Sequence, residues 1–367
     1  NGFLSAERPL NRFVRHYEPL SYKPIIVSHS QSRRKRSLEQ EHERVRFTIQ
    51  SQKRRFRLSL TKDTSVFSDN FVLMTDQGPV QAELDHLYSG YLVGVKNSLV
   101  VGSIMGGLFS GRIVTPDNEY YVERASRYFG NASAFHSIFY AAEDVAFSGT
   151  ACGLHGAAKA WADDIRYRYA SYRQQQQRAK RSVLEPVDTW EGVDSSKANG
   201  SSKLHRDREP TNMEGRKKSA HIPDANLKRV CNLEIIIDQT LYEAKLNEYF
   251  VDVKVKQALM ELVHSHVSSA REIFKHVNFN GITDISFEVQ RTRINGSATC
   301  AESARHSNPF CSPNLDATHV LHELSKQDHD DFCLTYLWTH RDFPEGTLGL
   351  AYMAEPEGEL DGVAVCR

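Results

Sequence analysis

Six cysteines, at 152, 231, 300, 311, 333 and 366, are the residues of this 367-residue chain best suited to covalent or metal chemistry. Cys152 stands apart. It sits in "SGTACGLHG", residues 148–156, among glycine, serine and threonine, which build neither a helix core nor a strand core. The stretch reads as an exposed, adaptable loop that presents a thiol. Three roles are open to that thiol: a buried structural group, one half of a disulfide, or a thiolate directed at the metal of a partner domain. Cys300 and Cys311 flank a short loop and could pair. Cys231 begins one strand and Cys333 a later strand of the same domain, so adjacent strands could bring them together. Cys152 and Cys366 are then left over.

Histidine offers less. "HVLHEL", residues 319–324, approaches a zinc helix, which needs His-Glu-x-x-His because residues four apart share one helix face. After His322-Glu323 the required position holds Lys326, and the motif fails. His264 and His266 lie two apart on a helix, which points them apart. Both stretches are expected to carry surface histidines. The sequence contains no other metal-ligand cluster, no phosphate loop and no Gly-x-Ser-x-Gly elbow.

Two basic tetrapeptides, "RRKR" (Arg33 to Arg36) and "RAKR" (Arg178 to Arg181), fit the pattern read by proprotein convertases, each followed by serine. Cleavage is expected after Arg36 and Arg181. "GRKKSA", residues 215–220, is a weaker candidate, because Lys218 would precede the cut. Asn131, Asn199 and Asn295 each open a glycosylation sequon. Sequons, pairable cysteines and convertase sites together favour a secreted or cell-surface context.

Around these residues the composition is that of a folded protein. Lys+Arg and Asp+Glu both total 46, for a net charge of zero, and 40% of residues are hydrophobic. Charge balance and the lack of an aromatic-basic groove pattern argue against a nucleic-acid partner. No run of about 18 apolar residues is present to span a membrane. The chain opens on Asn without a charged-then-apolar leader, so its start is expected to be clipped or processed.

The pattern divides into four parts. Residues 1–36 form a lead ending at the first basic site. Residues 37–173 are β-rich, with Phe56, Leu58 and Leu60 alternating and a glycine-punctuated run at 90–114 that reads as short strands joined by turns. Their last stretch, 157–173, has helical composition. Residues 174–225 are polar and aperiodic, a solvated linker. From 226 order returns. "CNLEIIIDQ" is a strand with Leu233, Ile235 and Ile237 on one face. Residues 254–277 are a long amphipathic helix, with Leu259, Leu262, Val263, Val267, Ala270, Phe274 and Val277 at three-to-four spacing. Three strands follow, at "ISFEVQRTRI", "FCLTYLWTH" and "TLGLAYM". The class is α+β: a β-rich first domain, then a mixed α/β domain, 226–367, expected to be truncated because it stops at Arg367 without a capping element.

Five stretches carry a resemblance. "LNRFVRHYEPLSY", "DTSVFSDNF", "FHSIFYAAEDV", "NFNGITDISFEVQRTRIN" and "HDDFCLTYLWTHRDFPEGTLGLAYMAEPEG" resemble the Kuzbanian-type ADAM proteinases (a disintegrin and metalloproteinase), the branch that cleaves Notch. The similarity runs from about residue 10 to Cys366, interrupted at 174–225.

The resemblance implies a membrane-anchored zinc endopeptidase, made latent in the secretory pathway and sent to the cell surface. Cys152-Gly153 matches the family's cysteine switch. A catalytic zinc keeps one position open, and a thiolate binding there at about 2.3 Å displaces the water the metal would activate. The family match also implies the Cys231–Cys333 bridge. It implies that backbone at Gly349, Leu350 and Ala351 is the edge strand that pairs with extended substrate. The family's zinc helix, His-Glu-x-x-His-x-x-Gly-x-x-His, does not occur in these 367 residues. It is expected beyond Arg367, so the chain alone is expected to bind no metal and hydrolyse no peptide. The implied partners are membrane-protein substrates, a proprotein convertase and the remainder of the catalytic domain. The alternative is a secreted, prodomain-like product that binds the full-length protease and inhibits it or assists its folding.

Overall fold

Alternation in "RFRLSL" does what the period predicts. Phe56, Leu58 and Leu60 are all buried, at 1% exposure or less, in strand β3 (Arg55–Lys62). These coordinates are a computed structural model, which describes residues 9–25, 44–52, 54–130, 133–146, 229–275, 277–278, 282–301, 308–312, 314–343, 347–353 and 362–366. Contacts reported below among residues 9–146 and 229–343 fall within one compact unit, Asn1–Leu154, Leu227–Ala351 and Ala364–Arg367.

The described residues form an antiparallel eight-stranded sheet in the order β1-β10-β9-β8-β7-β6-β3-β2. Beside β3, its strands are β1 (Glu18–Leu20), β2 (Val45–Gln50), β6 (Leu87–Leu92), β7 (Leu99–Met105), β8 (Leu108–Val114), β9 (Glu119–Arg124) and β10 (Ser137–Ala141). The expected lead is therefore part of the sheet: β1 pairs with β10, and Val14, Tyr17 and Leu20 are buried. The glycine-punctuated run mixes two uses of glycine. Gly106 and Gly107 take positive φ, 59° and 76°, in the two-residue turn between β7 and β8. Gly102 and Gly111 instead face each other across those strands. A Cβ on Gly102 would lie 2.2 Å from the Ser110 carbonyl oxygen, so the strands approach only because neither position carries a side chain.

A five-stranded mixed sheet has the order β13-β11-β12-β4-β5. Its centre is β11 (Arg229–Ile237) and β12 (Ile285–Ile294), paired in parallel, with β13 (Leu334–Trp338) parallel on the far side of β11. The remaining two strands, β4 (Phe67–Thr75) and β5 (Gly78–Val80), come from the first region. Of the described helices, α1 (Ser126–Phe129) follows β9, while α2 (Gln239–Tyr249) and α3 (Asp252–Phe274) follow β11. Asp238 caps α2, its carboxylate accepting from the Leu241 N–H. The expected long amphipathic helix is α3, burying Val255, Leu259, Met260, Val263 and Val267. They pack on Leu233, Ile235 and Ile237 of β11 and on Phe287 and Val289 of β12. The opposite face of β11 buries Ile236 with Phe310 and with Val320 and Leu324 of α4 (Ala317–Ser325). The class is α+β, as the strand and helix periods imply. Strands β14 (Gly349–Met353) and β15 (Gly362–Cys366) form a separate two-stranded ribbon.

Candidate functional site

The structure brings the two regions together along α3. Residues 63–86 leave the eight-stranded sheet after β3, contribute β4 and β5 to the other sheet, and return into β6. At the two roots of this excursion stand Asp63 and His86, and both face α3. The His264 imidazole lies fully buried, its Nε2 3.8 Å from Asp63 Oδ2, an ion-pair distance rather than a hydrogen bond. His86 Nε2 meets the Gln257 carbonyl at 2.9 Å, and Gln257 Nε2 donates to Glu83 Oε2 at 2.6 Å. Burial would raise the Asp63 carboxyl, but His264, Ser89 and Ser65 outweigh it and hold the group well below the usual carboxylate range. Burial lowers His86, reinforced by His264 and Lys254 and opposed by the Gln257 carbonyl and Glu83.

His264 corrects the surface assignment made from spacing. Its position, four residues after Met260 and three before Val267, falls on the buried stripe of α3, and the helix phase alone would have placed it there. His266 does lie on the exposed side, its ring tilted against Trp338 with centroids 5.2 Å apart. His319 is exposed at the start of α4, 2.9 Å from Asp316 Oδ2, and His322 is half-buried one turn on. Among the described residues no three His, Cys, Asp or Glu side chains converge to hold a metal. The described residues therefore do not fit a zinc ion.

The second region is fixed by two buried carboxylates. Glu234, with no exposed surface, accepts from Arg291 Nε at 2.7 Å and Arg293 Nη2 at 2.8 Å, and faces His329 Nδ1 at 2.7 Å. Burial would raise its carboxyl, but the two guanidinium hydrogen bonds prevail and lower it. Asp238 accepts from Thr339 Oγ1 at 2.7 Å and Arg341 Nε at 3.2 Å. Arg341 also donates to the carbonyls of Ser312 and Phe310, tying the loop around Cys311 to the end of β11. Two disulfides complete the frame. Cys231–Cys333 joins β11 to the start of β13 across 102 residues, and Cys300–Cys311 closes an 11-residue loop. This set positions and clamps; it contains no nucleophile next to a base.

The sequence-derived sites distribute unevenly. Cys152, Arg36, Arg181, Asn131, Asn199 and the helical stretch 157–173 lie outside the described residues. Asn295 is half-buried at the end of β12, its backbone N–H donating to the Ile237 carbonyl. Gly349, Leu350 and Ala351 begin β14, whose partner is β15 and not the five-stranded sheet.

The two regions match two family models. The model described as reprolysin family propeptide covers residues 12–92, and that of metallo-peptidase family M12 covers residues 227–367. The chain belongs to the M12 reprolysin family. Curated relatives agree with this reprolysin assignment. Disintegrin and metalloproteinase domain-containing protein 10 of Bos taurus is 32% identical over 358 residues, 97% of this chain and 43% of the relative. The human protein of the same name is 32% identical over 356 residues, again 97% and 43%. The Caenorhabditis elegans homolog is 29% identical over 393 residues, covering all of this chain and 40% of the relative. The chain thus spans less than half the length of these relatives. Asp63, His86 and Glu234 were not among the sequence-derived candidates, and His264 was weighed only as a surface residue.

Proposed function

We propose that this chain is the latent amino-terminal region of a zinc metalloendopeptidase precursor that sheds the ectodomains of cell-surface proteins, Notch among them. One observation carries the reading: a propeptide match and an M12 peptidase match lie in order on one chain. In this reading Cys152 supplies the thiolate that occupies the open zinc position of the longer protein and keeps catalytic water away. Convertase cleavage after Arg181, and after Arg36, then separates propeptide from peptidase in the secretory pathway. The metal ligands and general base belong to the His-Glu-x-x-His-x-x-Gly-x-x-His helix of the longer, membrane-anchored protein. Backbone at Gly349 to Ala351 takes the substrate by strand addition.

A second reading is a secreted, non-enzymatic product that binds the full-length protease. It draws support from the core that residues 66–87 share with β11, β12 and α3, because a propeptide region that fits there in cis also fits in trans. Peptidase assays separate the two. The 367-residue chain should show no cleavage of a quenched peptide and no stoichiometric zinc. The longer precursor should gain EDTA-sensitive activity on convertase treatment, and Cys152→Ala should raise its activity beforehand. A precursor that stays inactive after both treatments contradicts the protease reading.

A further inference from the structure

Strands β3 and β6 are hydrogen-bonded neighbours, and the Asp63 N–H donates to the Leu87 carbonyl at 3.0 Å. Two such strands need only a turn of two to five residues between them. This chain instead inserts residues 64–86 and spends them outside the sheet. β4 runs parallel to β12, with Leu73 opposite Thr292 and Met74 opposite Arg293. The Val289 N–H donates to the Val66 carbonyl at 2.7 Å. Val66, Phe67 and Leu73 are buried in the same core as Val263, Val267 and Phe287. The roots add polar contacts to α3: Asp63 to His264, His86 and Glu83 to Gln257, and Ser65 to Arg271 at 3.2 Å. Among the described residues both disulfides lie inside the second region.

We propose that residues 63–86 are a strand-addition latch whose docking site is the open edge of β12 together with the adjoining face of α3. Main-chain pairing supplies the hold, and the buried apolar side chains of β4 set its register. The latch keeps the first region on the second after the chain between them is cut, and it does so without the Cys152 thiol. The proposal does not depend on the protease reading, because any cut between residues 147 and 228 exposes it.

The test uses the full chain carrying Cys152→Ala and a site for a sequence-specific protease in place of residues 178–181. After complete cutting, the two fragments should co-elute on size exclusion and separate only in denaturant. In a second variant Asn-Gly replaces residues 64–86, which joins β3 to β6 by a type I′ turn and leaves the eight-stranded sheet closed. Slow amide exchange at Val100 to Ile104 should persist in that variant, while co-elution is lost. Precipitation of the second fragment with the first left in solution reads as the same loss. Leu73→Asp should weaken co-elution in the same direction. Two results overturn the latch: fragments of the parent that separate on cutting, or fragments of the Asn-Gly variant that still co-elute.

Discussion

Removing the Cys231–Cys333 bridge should cost more stability than removing Cys300–Cys311, and loop length says by how much. The first closes a loop across 102 residues and the second across 11. In the chain-entropy model a loop of the longer size restrains the unfolded chain by about 4.7 kcal/mol, and the shorter by about 2.8 kcal/mol. Packing adds to the difference. Cys231 is buried in the core with Leu233 and Phe287, so a Cys231→Ala/Cys333→Ala pair also leaves a small void there. At about 2–4 °C per kcal/mol for a unit of this size, the melting midpoint should fall by about 10 °C or more. The Cys300→Ala/Cys311→Ala pair should lose nearer 6 °C. Differential scanning calorimetry of the two double variants, at equal concentration and pH, reads both numbers. Equal losses, or a larger loss from the shorter loop, would refute the loop-length reasoning.

Two further outcomes follow from the buried charges. His86 is lowered in the folded state, so the neutral form is the stable one: its contribution is complete above about pH 6.5 and lost as pH falls below that. Asp63, also lowered, loses its contribution only in stronger acid, below about pH 4. Urea midpoints should therefore drop between pH 7.5 and 5.5, and His86→Gln should flatten that slope; parallel slopes in both proteins count against the assignment. Glu234→Ala leaves Arg291 and Arg293 facing each other without their shared carboxylate. The cost should be roughly 3 kcal/mol, at the low end for a broken buried pair because both guanidiniums keep about a third of their surface in water. A loss below 1 kcal/mol in chemical denaturation would show that the carboxylate is not holding the sheet.

What could be read from the sequence was local. The alternation at Phe56, Leu58 and Leu60 and the three-to-four spacing from Leu259 to Val267 report burial of one face, and both elements formed as their periods require. "FSDNFVLMT", residues 67–75, is a strand by the same reasoning, but a period of two does not name a partner. Its neighbour β12 is more than 200 residues away, in parallel, and nothing in either strand alone says so. Glu234 had a signal, a carboxylate inside the apolar run "NLEIII". Its meaning depends on Arg291 and Arg293, which stand on the adjacent strand 57 and 59 residues later. His264 was misread because its pair was judged as a metal motif and not by helix phase. Gly102 and Gly111 looked like turns, and only the facing register shows them to be a close approach.

Latency in the proposed precursor depends on Cys152, and alkylation of that thiol tests it. The full-length precursor is treated with iodoacetamide at pH 7.5, with and without a chelator, and alkylation at Cys152 is read by mass spectrometry. A zinc-bound thiolate is shielded, so labelling should be low with the metal in place and rise strongly once it is removed. In the 367-residue chain alone the thiol should label without chelator, faster as pH approaches about 8.5. Equal labelling of the precursor in both conditions would mean that the thiol does not touch the metal, and latency through Cys152 would be wrong.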